Sequence, residues 1–293
     1  MKGSGYSKAV ISMLFVMLVW GSSFAVTKNA ITIVPPLTFA LLRFLTASIC
    51  LQAMLMLRKK NNAPKKRIPF VPLLVMGLTG VTCFYTFFNY SLVYTSASMG
   101  ALIQAFIPVI IALLAFIFLK EKISGIQQLS ILISVTGVAL VSYFAHPDTS
   151  SGNPFLGNCL MLVAVIAWSV YTVVSKKLAD YDVLKVTCYS TYIGTAFLIP
   201  FVMVELWHKP LPAINAEGWI SIIYLGVVAS AVSYYLYNHS LKLLSASLAG
   251  IFINLDPVVG AALAIIFLHE EVTVSLVVGS LMVLAGTWIS ARK

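Results

Sequence analysis

The stretch YTFFNYSLVYTSASMG, residues 85–100, is repeated 149 positions later as YYLYNHSLKLLSASLA, residues 234–249. Identical residues recur along the whole comparison, including the complete Ser-Ala-Ser triplet. A shift of 148 also aligns WGSSFAVTK, residues 20–28, with WSVYTVVSK, residues 168–176. Self-similarity at one fixed period indicates that the chain is built from two copies of one unit.

The repeat continues through FIPVIIALLAFIFLKEK (106–122) and LDPVVGAALAIIFLHEE (255–271). Both copies contain a proline, Pro108 and Pro257, and only the second copy has an acid directly before its proline, Asp256. A proline inside a helix removes one backbone hydrogen bond and clashes with the preceding turn. We therefore predict a helix break in each copy. Its freed carbonyls could bind a small molecule or ions, as unwound segments of some membrane helices do, or the proline could simply shape the packing.

Composition places the chain in a membrane. Its residues are 60% hydrophobic and 10% charged, with a mean hydropathy of +0.98, whereas soluble domains are roughly half apolar and about 25% charged. Apolar runs of about 20 residues can cross a ~30 Å hydrocarbon layer as helices. Such runs lie near 8–27, 36–57, 69–91, 96–119, 125–145, 154–175, 183–206, 218–240, 246–268 and 272–290. The sequence thus predicts an all-α polytopic membrane protein with ten transmembrane helices.

The two copies divide these helices into units of five, residues 1–145 and 146–293. Because five is odd, the second unit must enter the membrane from the opposite side. Two inverted repeats are the architecture of alternating access, with a binding site near the midplane between the halves. The predicted fold therefore favours a transporter.

Charge predicts the orientation of the chain. The formal net charge is +10, and a cytoplasmic N-terminus would put 16 of the 19 basic residues on the cytoplasmic side. This asymmetry follows the positive-inside rule. We predict a multi-pass protein of the cell (inner) membrane with both termini cytoplasmic. Membrane orientation then accounts for the excess of basic residues, and we predict no nucleic-acid partner.

At five stretches the chain resembles the ten-helix EamA-type members of the drug/metabolite transporter superfamily. The stretches are WGSSFAVTKNAI (20–31), PPLTFALLRFLTAS (35–48), PVIIALLAFIFLKEKI (108–123), LDPVVGAALAIIFLHEEV (255–272) and GSLMVLAGTWI (279–289). The resemblance implies an exporter of amino acids or other small metabolites, or an importer of vitamins or nucleobase-like compounds. It also implies a central cavity lined by helices 1, 3, 4, 6, 8 and 9, with helices 5 and 10 peripheral. The family usually has Glu where this chain has the shorter Asp256.

Two ionisable residues lie well inside predicted spans, Arg43 and Asp256. Charges there are costly and are candidates for function. One interpretation is a buried charge network that fixes helix packing, and the other is substrate or proton handling. Asn254 lies two residues before Asp256, so in a regular helix the two side chains point in nearly opposite directions. Both can face one cavity only if Pro257 distorts the turn.

Aromatic and amide residues recur at equivalent positions of the two copies. Tyr85 and Asn89 are spaced i, i+4, as are Tyr234 and Asn238, so each pair shares one helix face. Small-molecule pockets are mainly apolar with a few orienting polar groups. We predict a substrate site formed by Trp20, Tyr85, Asn89, Gln104, Trp168, Tyr171, Tyr234, Asn238 and Asn254.

No enzyme or metal motif is present in the sequence. Cys50, Cys83, Cys159 and Cys188 occur singly in apolar runs, which indicates packing. We predict a secondary transporter that exports small amphipathic metabolites such as amino acids, works as a monomer, and uses no metal or cofactor. The alternatives are import of a vitamin or nucleobase-like compound, and a non-transporting membrane binding or scaffold protein.

Overall fold

The computed structural model describes residues 2–58, 67–95, 100, 103–143, 153–256, 258–260, 263 and 274–291. These residues are helical or lie in short connections, and none of them forms a strand. We number the helices α1 (Lys2–Ile33), α2 (Pro36–Leu57), α3 (Phe70–Tyr94), α4 (Ile107–Leu119), α5 (Gly125–Tyr143), α6 (Pro154–Lys177), α7 (Val183–His208), α8 (Ala216–Ser240), α9 (Ala246–Ile253) and α10 (Val274–Ala291).

Six of these helices, α1, α2, α3, α6, α7 and α8, are long and apolar enough to cross a membrane. The chain is therefore a multi-pass membrane protein. Helices α4, α9 and α10 are apolar but shorter over the described residues. The predicted total of ten crossings is untested and stays a prediction.

The beginnings of several helices follow from local sequence. Asn153, Asp182, Asn215 and Ser245 precede α6, α7, α8 and α9, and each side chain accepts a hydrogen bond from the backbone N–H three residues later. Short oxygen-bearing side chains satisfy N–H groups that have no partner within the helix. Pro36 begins α2, where its missing N–H costs nothing.

Two helices widen into π-helical segments at equivalent positions of the repeat. The segment Leu78–Cys83 lies within α3, and Leu225–Val232 lies within α8. Each contains a glycine against a neighbouring helix: a Cβ on Gly80 would overlap the Tyr171 ring, and one on Gly226 would lie 2.8 Å from the Arg43 carbonyl oxygen. The apolar pattern predicted regular α-helices here, because the pattern of apolar residues does not reveal where a helix widens to the i→i+5 hydrogen bonds of a π-helix.

Helix packing joins the two halves of the chain in pairs. Helix α1 packs against α8 and α3 against α6, while α2 packs against α7 and α4 against α9. Helices α5 and α10 pack mainly against each other, with Gly137 close to the Gly279 carbonyl oxygen. Helices α5 and α10 are thus peripheral, as the resemblance implied, and the other four helix pairs surround the centre of the bundle.

The outer surface is apolar, as expected for a protein in lipid. Leu57, Phe155 and Trp207 are among the most exposed side chains. Polar side chains such as Arg43 and Asn238 lie in the interior instead. Lipid solvates the apolar surface, so the helix bundle buries its polar groups.

Candidate functional site

A cavity lies between the two halves. Its volume is about 40 Å³, enough for a few water molecules and well below the ~300–1,000 Å³ of typical small-molecule pockets. Its described walls come from α1, α2, α3, α4, α6 and the region around the end of α9. They are Trp20, Ser23, Phe24, Arg43, Phe84, Tyr85, Phe88, Gln104, Ile107, Trp168, Ile253 and Asp256.

Arg43 enters the cavity from α2 and is held from two sides. Its Nε donates to Ser230 Oγ at 2.8 Å, and its Nη2 donates to Tyr85 Oη at 3.0 Å. The guanidinium carbon also lies 4.5 Å from the centre of the Tyr85 ring. With 2% of its surface exposed, the side chain is a fixed buried cation, because a guanidinium stays protonated in proteins.

Asp256 follows the end of α9 and lines the same cavity. It is 5% exposed, and its Oδ1 has no hydrogen-bond partner among the described residues. Within that part of the chain no ion pair joins Asp256 to Arg43. The two ionisable side chains therefore line one cavity without a direct contact between them among the described residues.

Trp20 and Trp168 form the aromatic wall. Their rings meet edge-on with centroids 5.1 Å apart, and the Trp20 indole donates to the Ala229 carbonyl at 2.8 Å. Trp168 stacks on Tyr171 at 4.9 Å, and both tryptophans contact Tyr234. The two tryptophans line the cavity, whereas Tyr171 and Tyr234 are absent from its described lining.

The residues of α8 that were predicted to bind substrate, Tyr234 and Asn238, therefore lie away from the cavity. None of the described lining residues comes from α8, although the resemblance implied a contribution from that helix, and Arg43 adds α2 instead. Tyr234 uses its hydroxyl to donate to the Gly80 carbonyl at 2.8 Å. The contribution of α8 is indirect, because its Ser230 and Ala229 hold Arg43 and Trp20.

The amide side chains of Asn238 and Asn89 were predicted to bind substrate, and both lie outside the cavity lining. Asn238 donates to Tyr171 and Thr187 and accepts from Ser175, at 2.7–2.9 Å, so it is engaged in helix packing. Asn89 donates to the Pro36 carbonyl at 2.9 Å. Neither lines the cavity, whereas Tyr85 does.

Gln104 and Asn254 were predicted in the same site. Gln104 lines the cavity, with its Nε2 3.6 Å from the sulfur of Met161. Asn254 is 1% exposed, and neither of its side-chain polar atoms has a hydrogen-bond partner among the described residues. It is absent from the described lining although Asp256 is present, so the two side chains do not both line this cavity.

The chain turns just before each repeated proline. A turn at 105–106 precedes α4, and Pro108 lies in the first turn of that helix. At the equivalent position of the second half, α9 ends at Ile253 and Asn254 forms a turn. Pro257 itself lies outside the described residues. In α4, the proline begins a helix after an interruption.

Sequence reasoning missed one buried acid and several cavity residues. Glu205 of α7 is 7% exposed and accepts hydrogen bonds from Leu37 N, Thr38 N and Thr38 Oγ1 at 2.7–3.0 Å. It also accepts from Tyr90 Oη at 3.2 Å. A lone Glu in the apolar run 183–206 was the available signal. The missed lining residues are Ser23, Phe24, Phe84, Phe88, Ile107 and Ile253.

The chain resembles known transporters along its whole length. Residues 7–143 and 155–292 each match the EamA-like transporter family. An uncharacterized transporter of Archaeoglobus fulgidus is 28% identical over 288 residues, covering 98% of both chains. A probable terminal-alkyne amino-acid exporter of Streptantibioticus cattleyicolor is 25% identical, covering 98% of this chain and 94% of its own.

A solved crystal structure has the same fold. It aligns with a TM-score of 0.81, covers 96% of this chain and 97% of its own, and shares 18% identity. The two family matches together span most of the chain, and the named relatives are transporters. This multi-pass membrane protein is therefore a transporter, not an enzyme, and it belongs to the EamA-like transporter family.

Proposed function

We propose that this transporter is a secondary carrier that exports small amphipathic metabolites, such as amino acids, by alternating access through the central cavity. The observation that carries the proposal is the composition of the cavity wall. Aromatic rings surround two buried ionisable groups, Arg43 and Asp256, which do not pair with each other among the described residues. Apolar surface with a few polar groups suits a small amphipathic ligand.

Alternating access is supported by the internal symmetry. The repeat in the sequence, the two matches to one family and the paired packing of helices all agree with two inverted five-helix units, 1–145 and 146–293. The small cavity volume also fits, because a carrier must widen its site to admit substrate. Rocking of the two units around the cavity is the movement we propose.

The choice of amino acids as substrates draws on one relative. The Streptantibioticus cattleyicolor relative is named as a probable terminal-alkyne amino-acid exporter. We propose the same direction and a related class of substrate for this chain, acting as a monomer in the cell (inner) membrane. No resident metal or cofactor is part of the proposal.

Transport by purified protein in liposomes tests the proposed function. We expect uptake of a labelled metabolite into vesicles preloaded with the same unlabelled compound. Trp168→Phe should weaken this counterflow, because Trp168 is 2% exposed and lines the cavity. Trp288→Phe is the matched control, since Trp288 is 60% exposed on α10. Binding without counterflow would indicate a non-transporting protein, and net accumulation by intact cells would indicate an importer.

Orientation is tested separately by labelling single cysteines. In a variant without the four native cysteines, Asn62→Cys should be protected from an impermeant reagent added outside intact cells, and Ser150→Cys should react. This expectation comes from the concentration of basic residues on the proposed cytoplasmic side. The reverse pattern would overturn the proposed topology.

A further inference from the structure

Arg43 and Asp256 face one cavity and have unused hydrogen-bonding capacity. Arg43 binds Ser230 and Tyr85 through Nε and Nη2, and its Nη1 makes no hydrogen bond within the described part of the chain. Asp256 Oδ1 is likewise without a partner among those residues. Both side chains are more than nine-tenths buried. Among the described residues neither side chain contacts a group of opposite charge, which is the usual partner of a buried ion.

The anchoring of Arg43 explains why the two groups can remain apart. Tyr85 belongs to α3 and Ser230 to α8, so two helices fix the guanidinium in place. The contact of the guanidinium with the Tyr85 ring adds a cation–π interaction. A cation held in this way is preorganised for a ligand, which reduces the ordering cost of binding.

We infer that Arg43 and Asp256 form a zwitterion site, in which Arg43 binds the α-carboxylate of an amino acid and Asp256 binds its α-ammonium group. A guanidinium matches a carboxylate with two parallel N–H donors. An unpartnered carboxylate gains both a hydrogen bond and an opposite charge from an ammonium group. The inference rests on the proposed function and assigns each end of the substrate to one residue.

The rest of the wall defines the substrate side chain. Phe24, Phe84, Phe88 and Trp168 surround the cavity with aromatic surface, and none of them brings a charge. A charged substrate side chain would find no further charged partner among the described lining residues, and its burial would be costly. The site therefore favours amino acids with large apolar side chains over acidic or basic ones.

Binding of matched ligand analogues tests the inference on the purified full-length protein. The probes are L-leucine with 3-methylbutylamine and 4-methylpentanoate, and L-phenylalanine with 2-phenylethylamine and 3-phenylpropionate. Each pair of analogues lacks either the carboxylate or the amino group. We expect the amino acid to bind at least tenfold more tightly than either analogue. Binding of either analogue as tightly as the amino acid would overturn the zwitterion site.

Variants then assign each end of the substrate. Asp256→Asn should abolish the preference for the amino acid over the deaminated acid and preserve its preference over the amine. Arg43→Gln should abolish the preference for the amino acid over the amine and preserve its preference over the deaminated acid. If Arg43→Gln does not fold, Arg43→Lys replaces it in the test and should retain part of the preference over the amine. Glu217→Gln and Lys209→Gln are charge controls at exposed positions, where discrimination should be unchanged. Unchanged discrimination in Asp256→Asn would contradict the assignment.

The inference and the proposed function can fail independently. If the protein transports other metabolites and binds none of these amino acids, the zwitterion site is wrong and the carrier function stands. If amino acids bind with the predicted preferences and no compound is transported, the site stands and the carrier function fails.

Discussion

Arg58 and Asp182 form a two-point ion pair that joins the end of α2 to the start of α7. The Nη1–Oδ1 distance is 2.7 Å and the Nη2–Oδ2 distance is 2.6 Å. At the opposite end of the same two helices, Glu205 of α7 accepts hydrogen bonds from the first turn of α2. The antiparallel pair α2–α7 is thus fastened at both ends by charged groups.

The ion pair predicts a pH-dependent contribution to stability. The hydrogen bond from Arg58 lowers the pKa of Asp182 below its usual value, so folding favours the ionised form. Asp182→Asn retains an N-cap and removes the charge, and the loss at neutral pH should be about 0.2–1 kcal/mol because the pair is partly exposed.

The sign of the pH effect follows from the lowered pKa. The stabilisation is complete above the unfolded pKa of about 3.9 and is lost as the pH falls through the lower folded pKa. Melting curves of the wild type and Asp182→Asn should therefore differ at pH 7 and converge at acidic pH. Arg58→Gln provides the matched loss of the other partner. A difference in Tm that does not change with pH would contradict the prediction.

Glu205 is expected to stabilise the fold rather than bind substrate. Its buried carboxylate accepts from two backbone N–H groups and two hydroxyls. Glu205→Gln replaces one acceptor oxygen with an NH₂ donor and leaves buried N–H groups unsatisfied, at about 1–3 kcal/mol each. Thermal unfolding should show a clearly lowered Tm, while the exposed Glu217→Gln should change stability by less than about 0.5 kcal/mol. Equal effects would refute the distinction.

Arg43→Gln and Asp256→Asn should have different effects on stability. Arg43→Gln loses hydrogen bonds to Ser230 and Tyr85 that are worth about 1.5–3 kcal/mol each for a charged group. Asp256→Asn breaks no ion pair among the described residues and replaces a buried carboxyl group with a neutral amide of similar shape, so its Tm should be unchanged or raised. Melting curves of both single variants and the double variant check this. A sharp drop for Asp256→Asn, recovered by adding Arg43→Gln, would instead support a charge network.

The π-helical segment of α3 depends on a close contact at Gly80. A methyl group there would overlap the ring of Tyr171, and the Gly80 carbonyl accepts from Tyr234. Gly80→Ala should destabilise the protein by about 1–3 kcal/mol, as overpacking does in cores. Gly125→Ala, at the first residue of α5 with no atom within 4 Å of the added methyl group, is the control. Similar Tm values for the two variants would show that α3 and Tyr171 can separate without cost.

Several features could be predicted from sequence because they depend on composition and order alone. Apolar runs identified the six long membrane helices, and the repeat identified two related halves. Arg43 could be selected because a charge within an apolar span is unusual, and Trp20 and Trp168 because they occupy equivalent positions of the repeat. The turn before Pro108 followed from the missing N–H of proline.

Only the tertiary structure separated the lining residues from those behind them. In a soluble helix the polar face marks the exterior, but here lipid and protein core are both apolar, so the pattern does not reveal which face is buried. The π-helical segments in α3 and α8 also change the direction, around the helix axis, of the side chains that follow them relative to those that precede them. Sequence therefore determined the class of protein and the two charged groups, whereas packing between the halves decided that Tyr85 faces the cavity while Asn238 fastens α8 to α6 and α7.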